Sequence, residues 1–204
     1  MRLKVTSGFL LMFLVAAFWP ILLTGQNPLV KDPYEAPSVG QKAEVFAYRV
    51  ISPNSLAKSA VTAGLNQWRD SPPEWGQGMA GYGRRYGHKI ATRGAESGIG
   101  FVTAAALHED PRYFRLSEGT FGERIRHALK STFVTHKDDG GQGPSIWRFT
   151  SNYGAQFVSN AWRPESETQV GETLRRGTVS IGYDAATNLF KEFWPDIRRR
   201  VFRH

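Results

Sequence analysis

The sequence predicts an all-α fold: a single helical bundle of about five helices, packed through Gly/Ala seams after an N-terminal signal or anchor segment. Three observations predict it. Apolar residues recur at steps of three and four, and nothing alternates convincingly with period two. Start and stop signals punctuate those runs: Ser52-Pro53 or Asn54-Ser55, Thr120 with Glu123 and Ser166 with Gln169 open helices, whereas Pro72, Pro111, Pro164 and Pro195 close them. The length of 204 residues suits one domain able to bury a core. No internal repeat is present.

Taken in order, residues 1–25 read as a signal peptide or N-terminal anchor, with Arg2 and Lys4 ahead of an apolar run from Gly8 to Leu23. The run is short for a bilayer span, and the sequence after it makes a weak cleavage site, so both readings stay open. Residues 26–51 form a Pro-containing linker through Pro28, Pro33 and Pro37. The helical domain is expected over 52–204. Its first helix carries Leu56, Ala60, Ala63, Leu65 and Trp68.

The central helix is expected over about 76–107. Ala80, Gly83, Gly87, Ala91, Gly94 and Gly98 form one stripe on it, with Arg85, Lys89, Arg93 and Glu96 on another face. Each interior glycine costs a helix about 1 kcal/mol relative to alanine. The stripe therefore predicts a packing seam, with the charged face turned to solvent.

Thr120 and Glu123 form a capping box for a helix carrying Ile125, Leu129 and Phe133. Residues 137–144 (KDDGGQGP) are a loop. Another helix is expected from Ser145 to Trp162, and a last one from the Ser166–Gln169 box to Phe193, where Pro195 breaks it. Asp184 is the one acid expected near the core, paired with an arginine because a lone buried carboxylate is costly. The five tryptophans beyond the leader fall at predicted helix ends. That placement fits either plugs at the ends of a bundle or rings at a lipid headgroup layer.

Composition excludes more than it selects. The absence of cysteine removes disulfides and thiolate metal sites. The formal charge of +8 permits an acidic partner, but no nucleic-acid-binding signature accompanies it. The densest ionisable cluster is His108-Glu109-Asp110, followed by Arg112, Tyr113 and Arg115. These three are the candidate catalytic residues, for acid–base chemistry. The bland alternative is a helix-ending turn with His108 against terminal carbonyls and the acids paired with arginines. Metal-ligand spacing, a nucleophile elbow and a phosphate loop are all missing, so no metal or cofactor is expected. Arg198, Arg199 and Arg200 are the candidate binding residues for an anionic surface.

The strings WGQGMAGYGRRYG (75–87), ALHEDPRYFR (106–115) and FKEFWPDI (190–197) resemble an uncharacterised family of bacterial envelope proteins. That family has a signal-like leader ahead of a small-residue-rich helical domain. The resemblance implies export and a helical architecture, and carries no activity, cofactor or site residue with it. The resulting expectation is an exported, membrane-associated structural or binding protein of the cell envelope, facing the periplasm or a membrane. Its expected partners are anionic lipid, a second copy of the chain or another envelope protein. The competing expectation is an envelope hydrolase or lipid-modifying enzyme built on His108, Glu109 and Asp110.

Overall fold

The computed structural model describes residues 34–201 except 117. The leader 1–25 lies outside the described residues. The described chain is all-α: α1 (Val39–Ile51), α2 (Pro53–Trp68), α3 (Gly78–Ala106), α4 (Phe121–Phe133), α5 (Ile146–Ser159) and α6 (Val170–Val201). Three short 3-10 turns and one small hairpin complete it. Where the sequence suggests one domain, the contacts divide the chain into two compact units.

The first unit comprises Ile51–Ile90 among the described residues. Ser52 caps α2 by accepting the Ser55 backbone N–H, and Pro53 at the first helical position needs no partner for its nitrogen. The buried side of α2 is Ser55, Ser59 and Ala63, a four-residue repeat of small side chains. Tyr82, on the first part of α3, reaches this helix and donates to the Ala60 carbonyl at 3.3 Å.

The guanidinium of Arg85, fully buried, organises the turn between the helices. It donates to the carbonyls of Ser71 (3.0 Å), Pro72 (2.7 Å) and Gly76 (2.6 Å), and to Gln67 Oε1. Five donors in a rigid fork suit such a carbonyl cage, which offsets the cost of burying the charge.

The second unit comprises 34–50 and 91–201 among the described residues. Its apolar centre is Phe46 of α1, Ala104 of α3 and Trp147 of α5, with Phe101 against it. Thus 39–51 is a helix rather than linker, because Phe46 supplies the core and Lys42 a buried ion pair. Gly100 sits against the Phe46 ring, where an added Cβ would lie 2.6 Å from Cε1. Thr150 of α5 bonds Thr103 of α3 at 3.0 Å, and Gly154 faces Ile99. In α6, Gly177 lies under Tyr153 of α5 with no room for a methyl group. A two-stranded antiparallel hairpin pairs Val134–His136 with Gln142–Pro144, so the expected loop holds over 137–141 and its last three residues form a strand.

The seam on α3 is not where its glycines suggest. Gly83, Gly87, Gly94 and Gly98 have nothing within 4 Å of an added Cβ. The inward residues are Gly81, Arg85, His88, Thr92, Ser97, Gly100 and Ala104. Polar and ionic groups thus turn inward while most of the small stripe turns out. The carbonyl cage of Arg85 and the Phe46–Gly100 contact decide the orientation.

Two boundaries also differ. The last helix opens later than the Ser166–Gln169 pair suggests, since 165–167 is a 3-10 turn and α6 starts at Val170. Pro195 does not end α6. Arg115 and Arg124 grip the Glu192 carbonyl before the proline and the Asp196 carboxylate after it, which holds the helix through the lost hydrogen bond. Of the tryptophans, Trp68 ends α2 and is exposed, whereas Trp147 is core and Trp194 lies within α6.

Candidate functional site

Helix α3 ends in a left-handed residue. His108 has φ +53°, the Glu109 N–H donates to Ala104 O at 2.9 Å, and the His108 N–H reaches Ala105 O at 3.5 Å. This is the closure glycine usually provides. The His108 ring is exposed, with Nδ1 3.3 Å from Asp138 Oδ2. Asp138 in turn pairs at 2.7 Å with Lys42, whose Nζ also lies 3.4 Å from Ala104 O. The ring therefore does not meet terminal carbonyls; Lys42 does.

Glu109 and Asp110 are fully buried and serve different partners. Glu109 Oε2 accepts the Trp147 N–H at 2.8 Å, and Oε1 accepts the Ile146 N–H at 3.3 Å and Lys137 Nζ at 3.0 Å. It therefore caps the start of α5, where a carboxylate also meets the positive end of the helix dipole. Ser145, the residue at the cap position, makes no side-chain cap bond.

Asp110 accepts from Arg112 Nε at 3.0 Å, Arg112 Nη2 at 2.7 Å and the Tyr34 hydroxyl at 3.0 Å. Burial, and then the Asp110 charge, push the Tyr34 hydroxyl up. The Asp110 hydrogen bond holds Arg112 above its usual range. The three neighbours in sequence therefore go to three separate tasks. None converges with the others on a shared cleft, and of the two acids expected to pair with arginines only Asp110 does, Glu109 pairing with Lys137.

A third buried carboxylate, Glu192, lies outside the sequence-predicted cluster. It accepts from the Tyr113 hydroxyl at 2.6 Å, Arg124 Nε at 2.9 Å and the Leu116 N–H at 3.2 Å. Burial and the Glu192 bond raise the Tyr113 hydroxyl. The only hint was an acid between the aromatics Phe190 and Phe193.

A cavity of about 40 Å³, roughly one water's share of liquid volume, is lined by His127, His136, Tyr113, Ser131 and Gln142 among others. The His127 Nε2 is 2.7 Å from Phe114 O, and His136 Nε2 is 3.2 Å from Gln142 Nε2. Burial lowers the pKa of His136. Among the described residues, no group of three or more His, Cys, Asp or Glu side chains could hold a metal ion.

Two residues of the charged face of α3, Arg93 and Glu96, feel the charges of Arg49 and Asp184 in a further interior cluster. Arg148 Nη1 of α5 lies 3.3 Å from Asp184 Oδ2 of α6, and Asn152 donates to the same oxygen at 3.0 Å. This is the arginine partner the Asp184 position called for. The guanidinium groups of Arg49 and Arg148 lie 4.7 and 4.6 Å from the Trp147 ring. Arg198, Arg199 and Arg200 are exposed on the last turns of α6, with Arg199 tied to Asp196 at 2.8 Å. The chain matches no protein-family model, and no similar chain is found among curated proteins or solved structures.

Proposed function

We propose that this chain is an exported, membrane-associated structural or binding protein of the bacterial envelope, without catalytic activity. One observation carries the membrane part of the reading: several charged side chains are fully buried while large apolar ones are exposed. The fully buried side chains include Arg85, Lys42, Glu109, Asp110 and Glu192, whereas Val102, Phe121, Phe133, Val179 and Tyr183 are exposed. In water both halves of that pattern cost free energy. Against lipid the exposed apolar groups cost nothing, and ionic groups belong inside the bundle. Single exposed apolar residues are ordinary; their combination with a charged interior is what favours lipid. Export and the envelope rest on the basic-then-apolar leader and on the resemblance of the three motif strings.

Among the described residues no helix is long and apolar enough to cross a membrane. The reading is therefore association, with the bundle's surface in contact with lipid. The hydrolase alternative draws little support from the site, because the oxygens of Glu109 and Asp110 are taken by a helix terminus, Lys137, Arg112 and Tyr34. Fractionation of the expressed full chain followed by a carbonate wash tests the reading. Recovery in the membrane fraction before the wash supports it, and retention through the wash shows apolar contact; recovery wholly in the soluble fraction before the wash overturns it.

A further inference from the structure

We infer that acyl chains cover a continuous uncharged band on the outer sides of α3, α5 and α6 in the second unit. The inference rests on the membrane reading above and specifies the surface that carries it. On α5 and the turn after it, the exposed residues include Ile146, Phe157, Val158 and Trp162, and the one charged residue, Arg148, is buried. On α6, every exposed position over 177–190 is uncharged, and Asp184 is drawn to Arg148 and Asn152. On α3 beyond residue 90 the exposed positions are likewise uncharged, while Arg93 and Glu96 are only partly accessible.

At 1.5 Å per residue these stretches run about 20–26 Å, somewhat short of a hydrocarbon core of roughly 30 Å. Cations border them: Lys89 before the α3 stretch, and Arg175 and Lys191 on either side of the α6 stretch. The exposed Thr150 and Thr178 return their hydroxyls to the Ile146 and Leu174 carbonyls at 3.0 and 3.1 Å, and Tyr153 Oη meets Thr178 Oγ1 at 3.0 Å. A protein partner would demand hydrogen-bonding groups around the patch, and the band offers few. Hydropathy along the chain misses this surface because Arg93, Glu96, Arg148 and Asp184 are counted although they turn inward.

The chain has no cysteine, so single substitutions place a label unambiguously. Val102→Cys, Phe157→Cys and Val179→Cys put a nitroxide in the band, at exposed positions, and Arg175→Cys and Lys191→Cys put one at its borders. The labelled full chain is bound to vesicles of phosphatidylcholine and phosphatidylglycerol, and relaxation by dissolved oxygen and by a water-soluble nickel chelate is measured. The expected result is oxygen access with nickel shielding in the band, reversed at the borders. Nickel access at all three band sites in vesicle-bound protein overturns this inference while leaving surface association intact. Spin–spin broadening from the band labels overturns it in favour of a second copy on that face. A chain that does not bind the vesicles removes both this inference and the membrane reading.

Discussion

The carboxylate of Glu109 accepts the backbone N–H of Trp147 at 2.8 Å, so the residue that leaves α3 supplies the cap of α5. Helix caps are usually local, and the local candidate Ser145 is idle here. Glu109→Ala removes this cap, strands the Ile146 and Trp147 N–H groups and leaves Lys137 with the Leu107 carbonyl but no carboxylate. We expect a loss of about 2–4 kcal/mol in chemical denaturation. Glu109→Gln, which retains an acceptor, should recover part of that loss. Equal stability of the Ala variant and the parent would mean that α5 does not depend on this carboxylate.

His108→Gly separates backbone from chemistry. At φ +53° a non-glycine side chain is strained, and glycine relieves about 1 kcal/mol. Asp138 keeps Lys42 when the imidazole is gone. The variant should therefore melt at or above the parent temperature, and His108→Val below it. A catalytic His108 would instead show as lost turnover on envelope esters or glycans with an unchanged melting temperature.

Glycines on α3 should divide by environment. Gly87→Ala and Gly98→Ala add a methyl where nothing lies within 4 Å, and each should stabilise by about 0.5–1 kcal/mol through helix propensity. Gly100→Ala drives a Cβ into the Phe46 ring and should destabilise by about 1–3 kcal/mol. Thermal melts of the three variants give the signs directly. A destabilised Gly87→Ala would restore the outer stripe as a packing seam.

The pattern explains what the sequence could reveal. The Thr120–Glu123 capping box was legible because both partners lie three residues apart, and the structure contains both of its bonds. The extent of α3 was legible from its start and stop residues. Which face of α3 turns inward was not, because periodicity defines two faces without ranking them. The choice is made at a distance, by the carbonyls of residues 71–76 around Arg85 and by Phe46 against Gly100. Continuation of α6 through Pro195 was hidden for the same reason, since Arg115 and Arg124 arrive from far along the chain.

Acid should weaken the second unit in two steps. Burial depresses the pKa of His136, whose ordinary value is 6.5. A depressed group contributes stability that is present above its unfolded value and lost as pH falls through the folded one. Asp196 feels burial, which would raise it, but the bond and charge of Arg124 together with Arg115 outweigh that and hold it below 3.8. Its contribution is lost in stronger acid, and it is modest because a third of the side chain is exposed. Denaturation midpoints should fall first below about pH 6.5 and again below about pH 4. His136→Gln should remove the first step only, and Asp196→Asn the second. An unchanged first step in His136→Gln would assign it to another group.

The tail should give the salt-sensitive part of lipid binding. Arg198, Arg199 and Arg200 are consecutive in a helix, about 100° apart, so they fan around the axis and a flat surface meets only some of them at once. Arg199 is further engaged by Asp196 at 2.8 Å. With about 1 kcal/mol per basic residue near an anionic surface, the effective contribution is one to two such residues rather than three. Replacing all three by serine should weaken binding to anionic vesicles at low salt by roughly 5- to 30-fold and leave the high-salt remainder unchanged. Arg199→Ser alone should cost least, since its charge is already engaged by Asp196. If the triple variant loses the high-salt fraction as well, charge and not the apolar band holds the chain to lipid.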